Sequence, residues 1–429
     1  MFFKIKILYY LISIKIQKWY FKQDFVSLRK KRWNKLREKL KFSEFYKELT
    51  RKTTKLHDFP VINKSVLMSE FDRINTVGIK KIDAVRLSEQ AELTRDFSPM
   101  LNDITIGLSS GTSGNRGIFL ATENERALWV AVVLDRVIGF SLKKRSVAFF
   151  MRANSNLYDS VKSNLLNFQF YDILKPISEH ISNLIIQNPT ILVAQPSVLI
   201  DLATLKETGK LNIQPKKIIS IAEVLYPEDK IRLEKIFGQI IHQVYQCTEG
   251  LLAVSCRFGT LHFNEDFLEI EKKYIDNDHK RFHPVITDLL RVSQPIIRYE
   301  LNDIILEKNS CLCGSKNLAI EMIEGRSDDI LEFTNLSGST VKLYPDFIRR
   351  AIIMADESIH DYSLVQIKAK ELSLYIDNED NVYANAEKAI CELLNNFEIH
   401  DVIISRSNSK HLDMGAKFRR IKNDYRKTN

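Results

Sequence analysis

Cysteine is scarce in this 429-residue chain, with five residues at positions 247, 256, 311, 313 and 391. An odd count, with the Cys311/Cys313 pair too close for a usual disulfide, excludes a disulfide-built fold and argues for a reducing cytoplasm. The apolar stretch 7–14 is far short of the roughly 20 residues that span a bilayer. Lysines at 4, 6, 15 and 18 flank it and no small-x-small cleavage site follows, so it does not read as a secretory signal. Internal repeats and low-complexity linkers are absent. No basic stripe lies beyond the first 60 residues, so nucleic acid is not an expected partner. No Ser/His/Asp arrangement for nucleophilic catalysis is evident. The histidines other than His262 are scattered and suggest no second metal site.

The length exceeds what one hydrophobic core supports, so two or three domains are expected. An apolar fraction of 45% and a charged fraction of 27% are those of an ordinary globular protein. The net charge of +9 is concentrated: residues 1–60 hold 17 Lys/Arg against 5 Asp/Glu. With Trp19, Tyr20, Phe21 and Trp33, residues 1–58 read as a basic, amphipathic helical arm. Two readings stay open for it. Its basic residues could meet an anionic membrane, placing the protein peripherally on the inner face, or its aromatic face could pack on the main body.

Residues 108–117, Leu-Ser-Ser-Gly-Thr-Ser-Gly-Asn-Arg-Gly, space three glycines three apart among hydroxyl side chains. Glycine lets backbone N–H groups turn inward and Ser/Thr add donors, a combination suited to polyphosphate oxygens. Ile104–Leu108 and Ile118–Leu120 flank it as strands. A Walker loop needs a lysine and an immediate helix, and this loop has neither. A helix then opens at Thr122 with Glu125 three residues on, a capping box.

From about 146 to 245, short apolar strands (146–150, 190–194, 217–221, 240–244) alternate with helices at 196–208 and 227–237. This predicts a parallel sheet covered on both faces, with ligands beyond the carboxyl ends of its strands. Glu223 and the segment 245–250 fall at such ends. Beyond a strand-rich region, a small α+β unit of about 100 residues begins near Ile330. The fold class is α/β, and the segments are 1–58, 59–327 (with a knuckle region at 251–314) and 328–429.

Further segments complete a constellation: Tyr245-Gln246-Cys247-Thr248-Glu249-Gly250, Pro295 to Asp303, Gly325-Arg326-Ser327-Asp328-Asp329 and Gly415-Ala416-Lys417-Phe418-Arg419-Arg420. In this order, from about Phe59 to Lys417, they resemble the adenylate-forming superfamily, in particular the phenylacetate–coenzyme A ligase and CapK-like capsule-biosynthesis branch. The resemblance implies a large domain binding ATP and an acyl group, and a small mobile C-terminal lid. It implies that Ser109, Ser110, Gly111, Thr112, Ser113, Gly114 and Arg116 hold the β- and γ-phosphates. Ala222, Glu223 and Tyr245 would lie around the adenine, Thr248 near the α-phosphate and Glu249 on Mg²⁺. Asp303 would bind the ribose, Arg326 would support the nucleotide and Asp328 would be the hinge. Lys417 would bridge the carboxylic-acid substrate and the α-phosphate.

The implied reaction is ATP-dependent formation of an acyl-AMP, followed by thioester formation with coenzyme A. An amine, a sugar or a carrier protein are alternative acceptors. The alternative of another class is a non-catalytic module docking on membrane or protein through the arm. Residues 151–158 and 168–171 are expected to contribute to the acyl pocket. Three positions depart from the family pattern: Asn115-Arg116 replace a lysine after the loop, Asn302 replaces a glycine, and Ala416 intervenes before Lys417. Lys410 and Lys422 are nearby alternatives to Lys417. Separately, Cys256-x5-His262 and Cys311-x-Cys313 supply three thiolates and one imidazole, the donor set of a structural Zn²⁺ site.

Overall fold

The computed structural model describes residues 2–21, 24–109, 116–139, 141, 143–152, 165–411 and 418–425. Two helices lead, α1 (Phe2–Phe21) and α2 (Phe25–Leu40). The strands around the expected phosphate loop, β1 (Thr105–Leu108) and β2 (Ile118–Ala121), pair antiparallel with Leu108 opposite Ile118. Helix Glu123–Val133 follows, and Thr122 and Glu125 form the expected capping box.

Five strands then build a parallel array: β3 (Arg145–Met151), β4 (Leu166–Asp172), β5 (Ile191–Ala194), β6 (Lys217–Ile221) and β7 (Ile241–Cys247). They lie in the order β4-β3-β5-β6-β7, every neighbour parallel. The two-residue side-chain period sorts them into two cores. Ala148, Phe150, Leu192, Ala194 and Ile218 pack with Leu199, Leu202 and Ala203 of helix Pro196–Glu207 and Leu233 of helix Pro227–Phe237. Val147, Phe149, Ile191, Val193, Ile219 and Ile221 pack on the other face with Val130 and Val133. This two-faced burial is why the strands read as continuous apolar runs rather than as alternating ones.

Antiparallel strands continue the sheet through β8 (Gly250–Ser255) and β9 (Leu261–Phe263). Beyond them come β10 (Leu268–Tyr274), β11 (Arg281–Asp288), β12 (Tyr299–Glu300), β13 (Asp303–Lys308) and β14 (Ala319–Arg326). The chain divides into two compact units. The first comprises residues 1–274, 284–301 and 307–321, and the second residues 275–283, 302–306 and 322–429.

The second unit carries β15 (Leu331–Thr334) paired with β16 (Thr340–Leu343), and helices Pro345–Ala355 and Asp380–Asn396. Its four-stranded sheet orders β17 (Tyr362–Lys368), β18 (Glu371–Ile376), β19 (Ile403–Arg406) and β20 (Ile421–Asn423) as β19-β18-β17-β20. One core of Leu364, Leu374, Ile348, Ile352, Ala386 and Ile390 joins this sheet to both helices.

Two expectations change at this level. Edge strand β4 takes up residues 168–171, and Phe168 and Tyr171 are buried in the core. Phe168 packs on Phe149 with ring centroids 5.2 Å apart, and Tyr171 stacks on Phe150 at 4.6 Å. Residues 153–158 lie outside the described residues. The helical arm packs on the body as one of its two readings had it, but with a different face. Lys6 pairs with Glu123 at 2.9 Å, and Lys15 at 2.5 Å and Lys18 both pair with Asp135, whose side chain is fully buried. Arg29 pairs with Glu269 at 2.6 Å, and Arg32 donates to the Asp266 carbonyl at 2.7 Å. Trp33 is buried, with its indole N–H on the Thr54 carbonyl at 2.8 Å, whereas Trp19 and Tyr20 stay exposed.

Candidate active site and cysteine–histidine cluster

The β7–β8 hairpin has a two-residue tip, Thr248-Glu249, because Cys247 pairs directly with Gly250. A register shift between Tyr245 and Gln246 bends β7 just before it. Glu249 at this tip is buried and Thr248 half-buried, which is unusual for a turn. Gly250 permits this: a Cβ there would lie 3.1 Å from Asp288 Oδ2. Tyr299 Oη donates to Glu249 Oε1 at 2.8 Å and Thr248 Oγ1 to Oε2 at 2.9 Å. Burial works against ionising Glu249, but hydrogen bonds from Tyr299, Cys247, Thr248 and its own backbone outweigh it and hold the carboxyl below its ordinary range. A buried, ionised carboxylate with lone pairs to spare suits a hard divalent cation.

Thr248 also faces the expected phosphate loop. Its Oγ1 lies 3.4 Å from where a Cβ on Gly117 would sit, with Ser109 Oγ and Lys64 Cε each at 3.6 Å. The loop's neck is closed twice: Ser109 N donates to the Gly117 carbonyl at 2.8 Å, and Gly117 N to Ser109 Oγ at 2.7 Å. Residues 110–115, with Ser110, Gly111, Thr112, Ser113 and Gly114 among them, lie outside the described residues. Arg116 stands at this neck rather than at a tip. Its guanidinium forks onto both Glu92 oxygens and its Nε donates to the Ser109 carbonyl at 2.8 Å. Glu92 is partly buried, which raises its pKa, but Arg116 then Arg152 and Arg95 bring it below the ordinary value. The Arg116 charge is therefore committed to a carboxylate 24 residues earlier.

Behind the tip, Arg291 Nη1 donates to the Thr248 carbonyl at 2.5 Å and Nη2 to Gln294. Gln294 in turn donates to the Ile118 carbonyl at 2.8 Å and accepts from Leu120 N at 3.2 Å. This chain fixes the hairpin against β2, the strand leaving the loop. Glu125 supports the same segment, accepting from Val292 N and Ser293 N at 2.7 and 2.8 Å. Lys64, Arg291 and Gln294 have no motif, and only their polarity beside apolar runs marks them in the sequence; Tyr299 lies in the segment that ends at Asp303, which implies no role for it.

Asp288 is fully buried beside Gly250. Burial pushes its carboxyl up to about 6, against the hydrogen bond from Leu290 N and the Arg291 charge. A raised folded-state pKa contributes stability that is complete below the unfolded value near 3.8 and is lost as pH rises through about 6. Asp288→Asn is therefore expected to gain on the wild type between pH 4 and 6, by on the order of 2–3 kcal/mol. Denaturant melts at the two pH values measure this, and parallel wild-type and variant curves would refute it.

At the end of β6, Ala222 has φ +69°, the left-handed region that costs a residue with a Cβ about 1–2 kcal/mol. The turn lets Glu223 Oε2 accept from Ser197 N at 3.3 Å, at the start of helix Pro196–Glu207. Strain of this kind gathers at functional sites. Ala222→Gly should raise the melting temperature by roughly 1–3 °C, and an unchanged or lower value would show that the backbone is not strained. Tyr245, expected at the adenine with these two, packs edge-on to Phe263 with centroids 6.3 Å apart.

In the second unit, Asp303, Arg326 and Asp328 converge on Asn302. Arg326 Nη2 donates to Asn302 Oδ1 at 2.9 Å and Asn302 Nδ2 to Asp328 Oδ2 at 2.8 Å. Arg326 also lies 4.0 Å from Asp303 and 3.5 Å from Asp328. Asn302 has no left-handed backbone, and it uses its amide as a bridge. Lys417 lies outside the described residues. Of its alternatives, Lys410 pairs with Asp361 and Lys422 with Asp424 at 3.0 Å.

The four expected metal ligands do meet. The ligand atoms of Cys256, His262, Cys311 and Cys313 all lie within 4.8 Å of one another. Cys256 and Cys311 Sγ are 3.7 Å apart, and Cys313 Sγ is 3.3 Å from His262 Nε2. His262 Nδ1 is 3.1 Å from the Asn317 carbonyl, a donor bond that leaves Nε2 as the ligand atom. Backbone N–H groups of Phe258 and Ser315 point at Cys256 and Cys313 Sγ, each at 3.4 Å. Gly314, at φ +74°, closes the Cys-x-Cys turn. Cys247 and Cys391 take no part.

No family model and no curated protein sequence matches the chain. Solved structures do. A 2-hydroxyisobutyryl-CoA ligase in its postadenylation state, with R3-HIB-AMP bound, matches at TM-score 0.63 and 17% identity, over 93% of this chain and 90% of that one. A benzoate CoA ligase from Burkholderia xenovorans LB400 matches at 0.53 and 12% identity, over 75% and 69%. The amide bond synthetase McbA from Marinactinospora thermotolerans matches at 0.54 and 10%, over 76% and 68%. The chain therefore has the fold of the adenylate-forming ligases.

Proposed function

We propose that this protein uses ATP to adenylate a carboxylic acid and then transfers the acyl group to coenzyme A. The observation that carries this reading is the Thr248-Glu249 tip, a buried carboxylate held ionised one residue from a half-buried hydroxyl set against the neck of the glycine-rich loop. The substrate carboxylate attacks the α-phosphorus, the bond to the β-phosphate oxygen breaks, and acyl-AMP and pyrophosphate result. Negative charge grows on phosphoryl oxygens as this happens, so preorganised donors and cations act where it develops.

In this reading residues 109–114 hold the β- and γ-phosphates and Thr248 orients the α-phosphate. Glu249 holds Mg²⁺, which would supply charge neutralisation on the phosphates. Asp303 takes the ribose hydroxyls with Arg326 behind it, and Asp328 is the hinge about which the C-terminal segment turns. Lys417 meets the acid and the α-phosphate. In the second step the coenzyme A thiolate attacks the acyl carbon and AMP leaves. Pyrophosphate release from ATP with a panel of carboxylic acids, comparing wild type with Lys417→Ala, tests the reading. Acid-dependent release lost in the variant supports it, and no release with any acid favours a non-catalytic module.

The cysteine–histidine cluster supports structural zinc rather than a catalytic metal. Three thiolates and one imidazole close a tetrahedron and leave no open position. A Zn²⁺ ion there would staple the β8–β9 hairpin to the loop before β14.

A further inference from the structure

Helix α1 is apolar on two faces, and among the described residues only one is covered. Ile7 and the buried Ile14 face the body, while Phe2, Ile5, Leu8, Tyr9, Ile12, Ile16, Trp19 and Tyr20 are exposed, from 49% at Ile12 to 78% at Phe2. At 100° per residue these eight fall in roughly one third of the helix circumference, with no charged residue among them. A contiguous face of this kind is an interaction surface, since singly scattered apolar residues would not align.

We propose that this face seats the protein on an anionic lipid bilayer, with α1 lying in the plane of the interface. Three observations select that occupant. The helix is not long and apolar enough to cross a membrane, and its inner face is tied down by Lys6–Glu123 and Lys15–Asp135, so it presents its side and not its end. The charge is complementary: α1 contains no acidic residue, exposed Lys4 edges the apolar arc, and α2 exposes Lys30, Lys31, Lys35 and Lys39. Trp19 and Tyr20 sit at one end of the arc, the residue types that settle at the headgroup level. Pairing with a second copy would instead bring two strongly basic segments together. An interfacial helix with an apolar face and a basic edge needs both attractions, because apolar insertion and lipid charge add.

Sedimentation of the full chain with vesicles of phosphatidylcholine, alone or mixed with phosphatidylglycerol, tests this. Binding to the mixed vesicles should exceed that to the neutral ones by roughly tenfold or more and weaken with salt. Vesicle addition should shift tryptophan emission to the blue, and Trp19→Phe should abolish the shift, because Trp33 is buried in the body and Trp129 packs against its core. Ile12→Asp/Ile16→Asp, both at exposed positions, should cut binding by roughly tenfold or more with an unchanged thermal melt. Trp19→Ala serves as an independent second variant and should also reduce binding. No binding to either vesicle would overturn the proposal. So would a dimer in light scattering that the double variant dissociates, because the face would then belong to a second copy.

Discussion

Glu249→Gln is expected to lower acid-dependent pyrophosphate release by roughly 10²–10³-fold, the range seen when one preorganised electrostatic group is lost from a site of developing charge. The substitution keeps the side-chain shape and changes only charge and one acceptor. Tyr299 and Thr248 both donate to this carboxylate, and burial alone would favour its neutral form, so the surrounding hydrogen bonds exist to keep it ionised. An amide returns one donor to a pocket already filled with donors, and it withdraws the negative charge a divalent cation needs. The loss should appear mainly in kcat and should not be rescued by raising ATP. A rate within threefold or so of wild type, which is less than one lost hydrogen bond's worth, would remove Glu249 from the chemistry.

Removing the metal should have the largest effect on stability. The purified protein should carry about one equivalent of zinc, and Cys311→Ser or Cys313→Ser should release it and lower the melting temperature by several degrees, at roughly 2–4 °C per kcal/mol for a domain-sized unit. The side chains are arranged for it: the four ligand atoms are mutually within 4.8 Å, the imidazole is oriented by the Asn317 carbonyl, and backbone N–H groups aim at two sulfurs. Activity of the variants, assayed well below their melting temperature, should persist, because Thr248 and Glu249 lie at the opposite end of β8 from Cys256. Zinc well below one equivalent, with no change on chelation, would contradict the assignment.

What the sequence revealed and what it hid follow from the range of each interaction. Strands β3, β5 and β6 were legible because burial on both faces writes a continuous apolar run, and the capping box because its two residues are three apart. The Cys/His cluster was legible because its residue types are rare, although its halves lie about 50 residues apart in sequence. Strand β4 was missed because Asn167 and Gln169 break its apolar run at a sheet edge. Arg116 reads as a loop-tip cation, and its engagement with Glu92 has no periodic signal since the two residues share no motif. The links from Arg291 and Gln294 to the Thr248 hairpin are likewise long-range polar contacts that only the fold assembles. The helical arm misled for another reason. Apolar residues on both faces of α1 give no single stripe, so the sequence could not say which face the body covers.

The central claim is that this site forms acyl-AMP. Exchange of labelled pyrophosphate into ATP, run with the full-length protein, Mg²⁺ and a panel of aromatic, fatty and sugar-derived acids, tests it without assuming the acceptor. Exchange that depends on one class of acid and is lost in Glu249→Gln is the predicted result. Exchange with no acid above the protein-free background would contradict the account.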